Sequence, residues 1–106
     1  MKMQIRQGDV FLAAVDEMPE GRRLSFSAQP GRLVLAYGEA TGHHHSVAER
    51  DAEMIETEAG EIFLRIMRAT PLEHQEHGAI LLQPGTYRVT RQREYVAPEI
   101  ERRVAD

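Results

Sequence analysis

Apolar and polar positions in this chain alternate over short runs separated by glycine and proline, and helix-period patterning is nearly absent. Val10-Phe11-Leu12-Ala13-Ala14-Val15 predicts a buried strand, followed by a turn region at 16–21. Arg23-Leu24-Ser25-Phe26-Ser27 alternates polar and apolar. Pro30-Gly31 suits a type II turn, in which the third residue takes positive φ. Leu33-Val34-Leu35-Ala36-Tyr37 is apolar on both faces, which predicts a central strand. Gly38-Glu39-Ala40-Thr41-Gly42 interrupts it, and residues 43–48 are expected to resume it. Residues 52–57 and 61–68 predict a hairpin around Ala59-Gly60, with Ile62, Leu64 and Ile66 on one face and Phe63, Arg65 and Met67 on the other. Residues 79–83 and 86–96 predict a second hairpin around Pro84-Gly85. From residue 98 a short helix or an irregular arm is expected. The pattern implies an all-β fold, a small single-domain barrel or sandwich of about seven strands.

One segment carries helix signals. Thr70-Pro71-Leu72-Glu73 matches a capping box, with threonine as N-cap, proline at the first helical position and glutamate at the third. Gly78 stands where a C-terminal glycine belongs. The expected helix covers residues 71–77. Seven residues do not hold a helix alone in water, so packing or a bound ion would have to support it.

Length and composition narrow the function classes. The chain has 106 residues, the size of one domain (residues 1–106). It has no cysteine, which removes disulfides, thiolate zinc sites, iron–sulfur clusters and cysteine nucleophiles together. The first residues contain no apolar run of signal-peptide length, and no stretch approaches the ~20 apolar residues of a membrane span. A soluble cytoplasmic protein is expected. Net charge is −4, with twelve arginines and Lys2 as the sole lysine, so non-specific binding to nucleic acid is disfavoured. Between residues 49 and 61, Glu49, Asp51, Glu53, Glu56, Glu58 and Glu61 oppose Arg50 alone, and a solvated strand face is the expected reading.

The candidate chemistry lies in the histidines. All five fall in two clusters, Gly42-His43-His44-His45 and Glu73-His74-Gln75-Glu76-His77-Gly78. In an extended segment His43 and His45 share a side and His44 faces the other way. In a short helix His74 and His77 would share a face. Each pair is then half of a site for a divalent transition metal that accepts imidazole nitrogen, such as Zn, Fe, Mn or Ni. The candidate ligands are His43, His45, His74 and His77, and His44 is the expected non-ligand. Glu76 is the candidate general base or catalytic carboxylate, against the plainer reading of a solvated residue.

The segment Gly38-Glu39-Ala40-Thr41-Gly42-His43-His44-His45-Ser46-Val47-Ala48-Glu49 resembles the first motif of cupins, a glycine followed by His-x-His and then a glutamate. The leading glycine is one residue closer than in that motif. No histidine follows the Pro84-Gly85 turn, where the second cupin motif would have one. The resemblance implies a small metal-binding β-barrel. A longer pattern is similar to a family of small uncharacterised bacterial and phage proteins. It runs through Arg6-Gln7-Gly8-Asp9-Val10, the histidine clusters, Pro84-Gly85-Thr86-Tyr87-Arg88-Val89 and Arg91-Gln92-Arg93-Glu94-Tyr95. That resemblance implies one compact domain and no particular activity.

In the last strand Tyr87, Val89, Arg91, Arg93 and Tyr95 share a face, and Arg91, Arg93 and Tyr95 are candidates for binding a small anionic ligand. The alternative is that the arginines of this strand pair with the acidic stretch. Two functional readings follow. One is a metal-binding β-barrel with hydrolytic or oxygen chemistry. The other is a non-catalytic interaction or accessory module with structural histidines, in which a protein partner or a second copy of the chain is bound.

Overall fold

A computed structural model describes residues 3–24, 30–37 and 43–91. Along the chain run β1 (Gln4–Gln7), β2 (Val10–Val15), β3 (Arg22–Leu24), β4 (Arg32–Tyr37), β5 (His44–Ala48), a 3-10 turn (Glu49–Asp51), β6 (Ala52–Glu56), β7 (Ile62–Ile66), β8 (Thr70–Leu72), β9 (Ile80–Leu82) and β10 (Gly85–Arg91). The all-β expectation holds. The strands number ten among the described residues, above the expected seven because β3, β8 and β9 are pieces of three residues each.

Six strands form one antiparallel sheet in the order β1-β2-β10-β7-β6-β3, which among the described residues is not closed into a barrel. The pairs β4-β5 and β8-β9 are separate ladders. Two backbone hydrogen bonds between Ser46 and Glu73 join them. The inner face of the large sheet supplies Val10, Leu12, Met54, Leu64, Ile66, Tyr87 and Val89 to the core. The small ladders cover that face with Leu33, Leu35, Val47, Leu72 and Leu82. Period-2 alternation sets the register, because a one-residue slip would turn each of these side chains outward. Tyr87 is buried, and its hydroxyl donates to the Gln83 carbonyl at 2.7 Å.

Outward positions carry the charge. Arg65 donates to Glu53 across the β6–β7 pair, Arg22 pairs with Glu56, and Arg88 pairs with Glu61. The acidic stretch is thus met by arginines of neighbouring strands, of which Arg88 alone belongs to the last strand. Asp51 differs in being buried. Burial alone would raise its pKa, but the hydrogen bond from Arg68 and the charges of Arg68 and Arg50 outweigh that and hold the carboxyl below its ordinary range. Its backbone carbonyl also accepts from Met67, which fixes the corner between the 3-10 turn and the end of β7.

The expected hairpin around Ala59-Gly60 is present as β6–β7, with Gly60 at φ 90°. Four other expectations need correction. Residues 43–48 do not resume β4; β5 returns antiparallel against it. β4 is not central, since its only ladder partner among the described residues is β5. A bulge at Leu35 separates the pairs Val34↔Ser46 and Ala36↔His45, so Leu35 and Ala36 are both buried, and that accounts for an apolar run without alternation. The hairpin around Pro84-Gly85 does not form. β9 pairs with β8, while β10 crosses to the large sheet between β2 and β7.

The helix expected at 71–77 is likewise absent. Thr70–Leu72 is strand β8, and residues 75–77 are a bend. A capping box would bond the Glu73 N–H to the Thr70 side chain. Instead that N–H donates to the Ser46 carbonyl at 2.9 Å, and Thr70 is buried with its backbone in the β9 ladder. Gly78 is not at positive φ, so it closes no helix. The tail from residue 98 lies outside the described residues.

Leu64 is fully buried at the centre of the large sheet, whereas Leu81 is 57% exposed. Leu64→Ala should cost about 2–5 kcal/mol in urea denaturation, and Leu81→Ala should stay within about 0.5 kcal/mol. Equal costs at the two positions would contradict this placement of the core.

Candidate metal centre

Three backbone segments build the histidine site: the β1–β2 turn, β5 with the residue before it, and the loop between β8 and β9. Gly8 and Asp9 form the two-residue turn joining Gln7 to Val10. Gly8 has φ +60° and Asp9 does not have positive φ, the arrangement of a type II′ hairpin. The loop after β8 is pinned to β5 by the Ser46–Glu73 backbone pair and by the His44 N–H, which donates to Gln75 Oε1 at 2.7 Å. Arg32 ties the same junction, donating to the Ser46 hydroxyl and carbonyl and pairing with Glu73 at 3.2 Å.

This pinning brings four of the five imidazoles together. Ring centres lie 4.3 Å apart for His45 and His74, 4.6 Å for His74 and His77, 5.5 Å for His43 and His74, and 6.0 Å for His45 and His77. His44 faces the other side of β5, edge-on to Tyr37 at 6.4 Å. Two imidazoles sharing one ion through bonds of about 2.0–2.1 Å have ring centres roughly 4.5–5.5 Å apart. Three of the four separations are at or close to that range. Orientation is a different matter. Among the described residues, no group of three or more His, Asp or Glu side chains stands in an arrangement that could hold a metal ion. One reason is visible at His74, whose Nδ1 accepts the backbone N–H groups of Glu76 and His77 at 3.0 and 3.2 Å. In the neutral ring that leaves the proton on Nε2.

The electrostatics favour neutral rings. Burial, followed by the nearby His74 and His77, pushes the pKa of His45 down to about 4, with Asp9 opposing. Burial and then His77 and His43 lower that of His74, with Glu76 opposing. Burial, then Arg32 and His43, lower that of His44. Neutral imidazole is the form with a nitrogen lone pair to give, so folding keeps these side chains competent as ligands at neutral pH.

The remaining candidates are placed as follows. Glu76 is exposed, with its carboxylate 4.0 Å from Nδ1 of His43. Glu49, which the cupin-like pattern would offer as a ligand, is exposed in the 3-10 turn beyond β5. Arg91 lies on the inner side of β10 and donates through Nε and one Nη to the Leu35 carbonyl, at 3.2 and 2.8 Å. It thereby satisfies the extra carbonyl of the β4 bulge. Arg93 and Tyr95 lie outside the described residues. An open groove of about 650 Å³ between Glu20 and Gly60 contains no histidine.

Sequence reasoning missed Gln7, Gly8, Asp9 and Gln75. A Cβ on Gly8 would stand 2.8 Å from Nε2 of His77 and 3.2 Å from Cε1 of His45, so this glycine forms a wall of the cluster. The available signal was a Gly-Asp pair between polar Gln7 and the first buried strand, the composition of a two-residue hairpin turn.

A family model described as Domain of unknown function (DUF8820) matches residues 6–92. No curated protein and no solved structure matches the chain. Among the described residues no helix is long and apolar enough to cross a membrane.

Two outcomes are expected. Gly8→Ala combines a strained φ with a contact shorter than real Cβ atoms make, so it should lower the melting temperature by several degrees, and the His77 ring resonances should shift in NMR spectra. A neutral effect would contradict the wall assignment. For the metal-free protein, the unfolded value of His45 is 6.5 and the folded value about 4. Below pH 6.5 the unfolded chain takes up a proton that the folded site refuses, so stability is complete above that pH and falls as pH drops towards 4. Thermal melts across pH 8 to 4 test the sign, and a melting temperature that rises on acidification would contradict it.

Proposed function

This chain belongs to the DUF8820 family, and we propose that it is a small metal-binding β-domain. His43 and His45 on one segment and His74 and His77 on the other take a divalent transition metal, Zn, Fe, Mn or Ni. The observation that carries this reading is the convergence of four imidazoles, from clusters about thirty residues apart, onto one spot. The fifth histidine, His44, is turned away on the opposite side of the strand. The lowered pKa values of His45 and His74 support it, because they keep a lone pair available on each ring at neutral pH.

Binding requires rotation of the His74 ring, or loss of its Nδ1 contacts with the following backbone. Both are side-chain adjustments within an exposed bend. Three ligands would leave a position open for water or substrate, and four would close the site into a structural one. In the open case the role we assign to Glu76, 4.0 Å from Nδ1 of His43, is to orient that ligand or to accept a proton from a bound water.

A second reading is favoured by one observation. The two N–H contacts accepted by His74 Nδ1 shape the bend 74–77 without any ion, as a side-chain turn does. On that reading the domain is a non-catalytic interaction module with structural histidines.

Metal analysis of protein purified without a nickel column separates the two, followed by thermal melts with and without chelator. The metal reading predicts near-stoichiometric metal, or a melting temperature that rises with added zinc, because an ion that binds only the native state stabilises it. His74→Ala should remove most of that rise, and His44→Ala should preserve it. No bound metal and no response to any of the four ions would leave the structural reading standing.

A further inference from the structure

We infer that Gln7 is a positioning residue that fixes the tautomer of His45, so that its Nε2 lone pair is presented to the histidine cluster. The use of that lone pair for a metal rests on the metal-binding reading above; the tautomer does not.

Gln7 is the last residue of β1, and it is 3% exposed. Its neighbours Ile5 and Val10 contribute to the apolar core, so a buried amide here must find partners for every donor. It does. Nε2 of Gln7 donates to the Leu72 carbonyl and to the Gly78 carbonyl, both at 2.9 Å. Those two carbonyls bracket the loop that carries His74 and His77. The orientation of the amide follows, because an oxygen in that place would face two acceptors and no donor.

With both amide protons spent, Oε1 of Gln7 can only accept. It stands 2.8 Å from Nδ1 of His45. Nδ1 must therefore carry the hydrogen, and in the neutral ring the lone pair is on Nε2. The opposite tautomer would set two lone pairs against each other at hydrogen-bond distance in a buried place. One side chain thus holds the ends of the second histidine loop and selects the nitrogen that the first cluster offers. This is the arrangement found around metal-ligating histidines, whose second nitrogen is held by an acceptor.

Imidazole ¹⁵N–¹H correlation spectra of the metal-free full chain at neutral pH test the assignment. Wild type should show His45 with a protonated Nδ1 and an unprotonated Nε2. Gln7→Met keeps the volume and removes the acceptor, so His45 should move towards the Nε2–H form. Gln7→Glu, protonated on the oxygen that meets the Leu72 and Gly78 carbonyls, keeps an acceptor oxygen beside Nδ1 and should retain the Nδ1–H form. A role in packing alone would leave the tautomer the same in both variants, and that result would overturn the proposal. So would an Nε2–H tautomer in wild type, which decides the matter even if Gln7→Met fails to fold. Zinc titration of the same samples supplies the second arm. Gln7→Met should bind zinc about 10–100-fold more weakly than wild type, and equal affinity would overturn the positioning role towards a metal. If wild type shows the expected tautomer and binds none of Zn, Fe, Mn and Ni, the tautomer assignment stands and the metal reading falls.

Discussion

Two hydrogen bonds between the backbones of Ser46 and Glu73, at 3.0 and 2.9 Å, decide the shape of the end of this molecule that carries the histidine cluster. They join a strand of one small ladder to the chain leaving another, and no local sequence signal specifies them. Each neighbouring feature depends on that junction. The loop after β8 can reach Gln7 and Gln75 can reach the His44 backbone only because Glu73 is held there. Arg32 secures the same place from β4 by pairing with both residues of the junction. A pair of backbone hydrogen bonds contributes about 1–3 kcal/mol net, a small sum that here selects which side chains meet.

What meets is costly unless it is used or neutralised. Charged imidazoles with ring centres 4.3–6.0 Å apart repel one another, and burial of His45 already opposes its protonation. The fold lowers the pKa values of His45 and His74 and engages particular nitrogens: Nδ1 of His45 with Gln7, and Nδ1 of His74 with two backbone N–H groups. The two arrangements have opposite consequences. At His45 the acceptor leaves Nε2 free to bind an ion. At His74 the donors leave Nε2 protonated, so binding an ion there needs the ring turned, or the proton moved to Nδ1 with loss of those contacts. Metal binding to such a site would therefore be coupled to the conformation of one bend.

Much of the large sheet was legible in the chain. Strict alternation in Ile62, Leu64 and Ile66 against Phe63, Arg65 and Met67, with a glycine turn before it, gave the β6–β7 hairpin directly. The pairing of histidines His43 with His45, and the opposite facing of His44, also follow from strand geometry alone. Misreadings arose where a local signal competed with a distant partner. Thr70-Pro71-Leu72-Glu73 satisfies every local rule for a helix start, yet β9 and Ser46 offer its backbone a full set of bonds, and propensity over seven residues cannot compete. Pro84-Gly85 does mark a turn, but it redirects the chain between sheets rather than folding it back. The hydrogen bonds of Arg91 to the bulged Leu35 carbonyl were not legible, because that carbonyl is 56 residues away in sequence. Gln7 was invisible for the same reason: its partners at residues 45, 72 and 78 are brought together only by tertiary structure.

The central claim is that one ion is shared by two histidine clusters. Anomalous diffraction at the zinc edge from crystals grown with zinc tests it most directly. The account predicts a single peak among His43, His45, His74 and His77, bonded at about 2.0–2.1 Å to nitrogens from both segments, with Nε2 as the His45 ligand and His44 uninvolved. A peak held by one cluster alone, a peak elsewhere on the molecule, or no peak among the four rings would contradict it.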